Sequence, residues 1–286
     1  MSEERGPRRL GVVVLPVPKM NTAALKFLIL AMNQEQDLFQ FEFYSFDLGD
    51  HLLLRLLNTD KTVVRNEVRE CTSDFIVEVR KKIKRINDAM RLSEEPPERF
   101  VVVSRCFFDD NYYSVRGNGV SVLGLGNWKR QMAPPSFVEF VQVLLVREAV
   151  AALCPSLSGS VHLGTKGCVA DFTQNLEDAR QKVLRGFVCH YCQARMDDDG
   201  HPALADTVVH LLQREWLGQP TDPRSPAGVM ASLKYDLFTA KGLRETPREA
   251  FFGALRQEGA KQIVAAIGGL AVLLIVFFLG LKTGTG

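Results

Sequence analysis

VHLGTKGCVADFTQNLEDARQKVLRGFVCHYC, residues 161–192, is the stretch on which the reading of this chain turns. It holds His162, Cys168, Cys189 and Cys192 in the pattern H-x5-C-x20-C-x2-C. Four nitrogen and sulfur donors, the last two one helical turn apart, are what tetrahedral Zn²⁺ requires. A C-x-x-C by itself also suits a redox pair or chance. Adding His162 and Cys168 favours zinc. His190, between the two cysteines, is a rival ligand, strained by its position if both cysteines bind. Four protein donors leave no open coordination position, so the spacing predicts one structural zinc, with its binding energy folded into stability at about 10 kcal/mol near neutral pH.

Outward from this stretch the chain is ordinary for a globular protein. Its 286 residues are 46% hydrophobic and 24% charged, which excludes wholesale disorder. Thirty-five Lys and Arg against 33 Asp and Glu give a net charge of +2, against a dedicated nucleic-acid binder. Six cysteines are too sparse for a disulfide scaffold.

Upstream, Leu10 to Pro16 and Phe100 to Ser104 read as buried Val-rich strands, Phe39 to Phe46 as a period-two strand and Gly119 to Leu125 as another strand. Thr22 to Asn33 reads as a helix. Thr72 to Leu92 reads as an amphipathic helix with the stripe Phe75, Ile76, Val79, Ile83, Ile86 and Met90. Its basic outer face (Lys81, Lys82, Lys84, Arg85) is more simply a solvated surface than a lipid or nucleic-acid contact. Asp109 to Asn118 reads as polar loop, and Asp109, Asp110 and Asp171 as solvated loop carboxylates rather than a cation site. Ser136 starts a helix that Pro155 stops. Downstream lie helices over Leu176 to Leu184, Ala203 to Leu217 and from Ser225 to about Phe238, and a capping-box spacing at Thr246 to Glu249. Trp216 and Tyr235 to Phe238 read as packing anchors, with partner docking the alternative.

Ile263 to Leu281 is a run of 19 residues without a charge. As a helix it spans about 28 Å, the thickness of a bilayer core. More basic residues precede it (Arg244, Arg248, Arg256, Lys261) than follow it (Lys282), which predicts a single-pass, tail-anchored membrane protein with its N-terminal domain cytoplasmic. Ala265 and Gly269 have the small-xxx-small spacing of self-associating helices, so a homo-oligomer is a further expectation.

Residues 161–192 resemble the C-terminal signature of the archaemetzincins, a family of zinc metallopeptidases, and RRLGVVVLPV resembles that family's first strand. The resemblance covers roughly residues 8–195 and implies an α+β fold with a metzincin-like mixed sheet. In the closest register, the family's HExxHxxGxxH helix places Ala151 at the first His and Ala152 at the Glu. Pro155 then stands at the second His, Ser158 at the Gly and Val161 at the third His. A register ending on His162 restores Gly159 and one His only. Neither supplies the ligands and general base that zinc hydrolysis needs. For the family's structural zinc site the resemblance implies His162, Cys168, Cys189 and Cys192, with a His where the family has its first Cys and Ala170 for the usual Met.

The organisation expected is therefore an archaemetzincin-like pseudo-peptidase domain over 8–196, a helical coupling region over 197–261 and a membrane helix over 262–282. The function expected is a catalytically inactive membrane protein that binds a peptide or partner or senses a signal. Three alternatives stand beside it: a zinc peptidase with a relocated site, a membrane effector that oligomerises through its anchor, and a plain scaffold.

Overall fold

A computed structural model describes residues 6–17, 22–128, 132–159, 162–163, 167–213, 215–233 and 251. The chain divides into two compact units, Met1–Leu243 and Arg244–Gly286, and the elements below all belong to the first. The capping box at Thr246 to Glu249 and the apolar run Ile263 to Leu281 lie outside the described residues.

The centre is a five-stranded sheet in the order β2-β1-β4-β7-β6. Its strands are β1 (Arg8–Val14), β2 (Phe39–Phe43), β4 (Arg99–Ser104), β6 (Ser114–Gly117) and β7 (Val120–Gly124), while β3 (Thr62–Val63) and β5 (Phe107–Phe108) pair with each other in a separate two-stranded sheet. The first four in spatial order run parallel, and β6 closes one edge antiparallel to β7. The expected mixed sheet is thus a parallel-rich one, with strands and helices alternating along the first half of the chain, a mixed α/β arrangement. Parallel strands need crossovers, and α1 (Thr22–Met32) and α3 (Arg65–Met90) provide them, with the short α2 (Leu52–Leu57) before α3. Eight α-helices occur among the described residues.

Both faces of the sheet are covered, so its inner strands β1, β4 and β7 carry mostly apolar runs. Leu10 and Val12 of β1, Val101 and Val103 of β4 and Leu123 of β7 join the core cluster that contains α1 and α4 (Phe137–Leu153). The alternate residues Val13, Phe100, Val102, Val120 and Val122 join the second cluster, with Leu54, Phe75 and Val79 of α2 and α3. Each fully buried side chain of this kind contributes roughly 1.5–3 kcal/mol.

α4 is buried over almost its whole length, which explains its lack of a polar stripe. Ser136 caps it in a full capping box: its hydroxyl accepts from the Glu139 amide at 3.4 Å, while the Glu139 carboxylate accepts from the Ser136 amide. Pro155 then begins a 3-10 turn, Pro155–Leu157. α5 (Leu176–Arg185), α6 (His190–Asp198), α7 (Leu204–Gln213) and α8 (Pro226–Ser232) complete this unit. Val208, Leu211 and Leu212 of α7 point into the same core as α4.

Three local expectations change. α3 begins at Arg65, and only Phe75, Val79 and Ile83 of its predicted stripe are buried, whereas Ile86 (47% exposed) and Met90 (65%) run past the sheet. The loop over Asp109 to Asn118 contains edge strand β6. The helix that begins at Ser225 is described only as far as Ser232.

The expected membrane localisation is corrected. No helix among the described residues is long and apolar enough to cross a membrane. The stretch on which that expectation rested is outside them.

Candidate functional site

The four predicted donors converge. His162 sits on β8 (His162–Leu163), which pairs in parallel with β9 (Asp171–Phe172), His162 opposite Asp171. Cys168 lies on the turn between them, bridged to Phe187. Cys189 is the N-cap of α6 and Cys192 lies in its first turn, where the helix dipole favours thiolate. One donor atom from each residue lies within 4.8 Å of every other. His162 Nε2 is 3.2 Å from Cys192 Sγ and 3.3 Å from Cys189 Sγ, and the Cys168 and Cys192 sulfurs are 3.9 Å apart. Zn–S bonds of about 2.3 Å and Zn–N bonds of about 2.0 Å in a tetrahedron give edges of about 3.8 Å (S–S) and 3.5 Å (N–S). The donor set therefore fits one zinc ion. His190 is exposed at the start of α6 and is not in the cluster.

The thiols require a cation. Pairing with Cys192 lowers the Cys168 pKa to about 5 against the effect of burial, and the same pairing, helped by burial, drives Cys192 upward. The first proton leaves easily and the second is held, because two buried thiolates this close repel. Zinc removes that obstacle, so binding releases whatever protons the three thiols still hold. Around the sulfurs the backbone is shaped to match: the Cys189 amide donates to Cys168 Sγ at 3.4 Å, and Gly167 takes φ +77° to turn the chain ahead of Cys168.

Asp171, expected from the sequence to be a solvated loop carboxylate, is 3% exposed. Its Oδ2 accepts from the Gly167 amide at 2.7 Å and the Cys168 amide at 3.1 Å. Its Oδ1 has no aligned donor but lies 2.5 Å from His162 Nδ1. With Nε2 facing the sulfurs, Nδ1 is the nitrogen left to carry hydrogen, and a carboxylate behind a ligating His fixes the ring and raises its basicity. The only hint in the sequence was position: an acid three residues beyond a ligand, in the same tight turn.

Of the positions that the resemblance assigns to a catalytic zinc, two are apolar core and Pro155 is exposed. Ala151 is fully buried, Ala152 is 8% exposed, and Pro155 opens the 3-10 turn. Val161 lies outside the described residues. Among the described residues, the His162 group is the one cluster of three or more His, Cys, Asp and Glu donors able to hold a metal.

One turn earlier on α4, charge is concentrated where sequence reading saw only an apolar helix. Glu148 receives the guanidinium of Arg116 from β6 through Nε (3.0 and 3.1 Å) and Nη2, and the Ser121 hydroxyl at 2.5 Å. Burial would raise the Glu148 carboxyl, but Arg116, Arg147 and Ser121 outweigh it and hold it below its ordinary value. Burial lowers the Arg147 pKa to about 10, leaving a cation at neutral pH. The signal was an Arg-Glu pair inside VQVLLVREAVAAL. These groups line a cavity of about 230 Å³ where α4, β6, the start of α3, β9 and α5 meet. A second cavity of about 320 Å³ shares Tyr112 and Tyr113 with it.

No family model matches the chain, and no curated protein matches it. Among solved structures, it is similar to an archaemetzincin from Methanopyrus kandleri: 11% identity, TM-score 0.38, 68% of this chain and 95% of that one. It is also similar to a zinc-dependent peptidase from Methanocorpusculum labreanum: 10% identity, TM-score 0.36, 65% of this chain and 99% of that one.

Proposed function

We propose that the protein is a zinc-stapled binding protein that holds a peptide or similar ligand in the cleft beside α4 without cleaving it. The observation that carries this reading is the closed donor set. His162, Cys168, Cys189 and Cys192 fill all four positions of one tetrahedron, leaving none for a substrate or an activated water. The zinc's chemistry here is cross-linking: it ties the β8 turn to the start of α6 on either side of α5. Helix α4, which in the resemblance would present a second, catalytic zinc, carries Ala151 and Ala152 packed into the core. Neither offers a ligand or a base. The cavity along the same helix, with its buried charges, is the feature that suits binding.

The test is metal content and hydrolysis measured together. The purified full chain should contain one zinc ion, lost when Cys189 and Cys192 are both changed to Ser, and should leave a mixed peptide library intact. Two zinc ions per chain, or chelator-sensitive cleavage of any library member, would establish the rival reading of a zinc peptidase with a relocated site.

A further inference from the structure

The walls of the cavity beside α4 carry more positive charge than their own carboxylates balance. Glu148 is engaged by Arg116 and Ser121. The Asp171 carboxylate is turned away, toward the Gly167 and Cys168 amides and His162. Of the four other cations in the lining, Arg65 pairs with Asp110, which leaves three. Arg147 is 5% exposed; its Nη2 donates to the carbonyls of Leu157 (2.9 Å) and Gly159 (3.0 Å), and its Nη1 is buried without an acceptor. Lys182 is 2% exposed and donates to the Asp171 carbonyl at 2.8 Å and the Tyr113 hydroxyl at 3.3 Å, both uncharged. Arg69 reaches the cavity from α3, exposed and without an ion pair among the described residues.

A buried cation whose hydrogen bonds all go to neutral groups is costly; Lys182 has only such partners and Arg147 shares the single Glu148 charge with Arg116, so an incoming anion relieves that cost at both groups at once. Guanidinium groups match the geometry of carboxylate and phosphate oxygens. At roughly 30 Å³ per water-sized group, the volume admits about eight heavy atoms, the end of a ligand rather than a folded partner. We propose that this cavity is an oxyanion site, receiving a carboxylate or phosphate group at the end of a ligand against Arg147, Lys182 and Arg69. The proposal deepens the binding reading above by naming the ligand's chemistry, and it does not depend on the nature of the zinc.

The experiment is calorimetric titration of the zinc-loaded full chain with three probes: inorganic phosphate, a tetrapeptide with a free C-terminal carboxylate, and the same tetrapeptide amidated. Binding of phosphate or of the free-carboxylate peptide is expected, with the amidated peptide at least tenfold weaker; the probe that binds identifies the source of the anion. Arg69→Gln, at an exposed position, should weaken binding at least fivefold at unchanged zinc content, and Arg147→Gln should abolish it. If Arg147→Gln does not fold, Arg69→Gln decides alone. No binding of either anionic probe at about 10 mM, equal binding of the amidated peptide, or parent-like binding by Arg69→Gln would overturn the proposal. A chain with one zinc and no hydrolysis that ignores both anions loses this proposal alone. A second zinc or peptide cleavage removes the proposed function and leaves the titration to be judged separately.

Discussion

Asp171→Asn isolates the contribution of the carboxylate behind the zinc ligand. The side chain keeps its size and one oxygen. If that oxygen continues to accept from the Gly167 and Cys168 amides, at 2.7 and 3.1 Å in the parent, the new amide nitrogen faces His162 Nδ1. Metal on Nε2 puts the imidazole hydrogen on Nδ1, so two donors would confront each other 2.5 Å apart. Flipping the amide to relieve this abandons the two backbone donors. Loss of such an outer partner costs about 10–100-fold in metal affinity, or about 1.4–2.7 kcal/mol. Zinc binds the folded chain, so the same amount comes off stability at fixed free zinc. At about 2–4 °C per kcal/mol for a unit of this size, the melting midpoint should fall by about 3–11 °C. Competition against a chromophoric zinc chelator measures the affinity, and melts in zinc-buffered solution measure the stability. An Asn variant that holds zinc within threefold of the parent would show that Asp171 merely shapes its turn and that the support assigned to His162 is wrong.

Other outcomes follow from the same geometry. Glu148→Gln should cost about 3–5 kcal/mol in urea unfolding at pH 7, because it strands Arg116 and Arg147. Since the folded Glu148 pKa is depressed, its stabilisation is present above the ordinary carboxylate value of 4.5 and is lost as acid titrates the folded group; the parent, more than the Gln variant, should weaken as the pH falls below 4.5. Ser136→Ala removes the cap of α4 and should lower stability by about 1 kcal/mol, read from the same urea curves. Gly228→Ala should cost about 1–3 kcal/mol or more, since a Cβ there would lie 1.7 Å from the Asp222 carbonyl oxygen, a backbone atom with little room to retreat; parent-like stability would show that the loop before α8 yields. Chelation of the native chain should lower its melting midpoint, and by less as pH falls, because protons competing for the three thiolates weaken the zinc binding that chelation removes.

The sequence displayed those parts of the molecule whose pattern and physical cause coincide. β1 and β4 announce themselves because strands buried on both faces are apolar at every step, and the four donors because ligand spacing is covalently constrained. β6 was hidden: SVRG has one apolar residue, and the strand exists because β7 offers it an edge. Ile86 and Met90 follow the helical period correctly, but nothing among the described residues buries that end of α3; periodicity reports a face, not what covers it. The short LLLRLL helix α2 fell below the length at which a pattern declares itself. Asp171, Arg147 and Glu148 depend on tertiary placement. Nothing adjacent in the chain says that an acid in a turn will be sealed behind a histidine, or that a charged pair in an apolar helix will meet Arg116 from an edge strand.

Asp171 stands on a frontier between two chemistries. Its carboxylate serves the zinc, while its carbonyl holds the Lys182 ammonium at the cavity wall. A carbonyl belongs to every amino acid, so replacing the side chain disturbs the first allegiance and spares the second. Drift at this position can slacken the metal clasp while the lysine keeps its perch, and the two properties are free to evolve at different speeds across a single peptide unit.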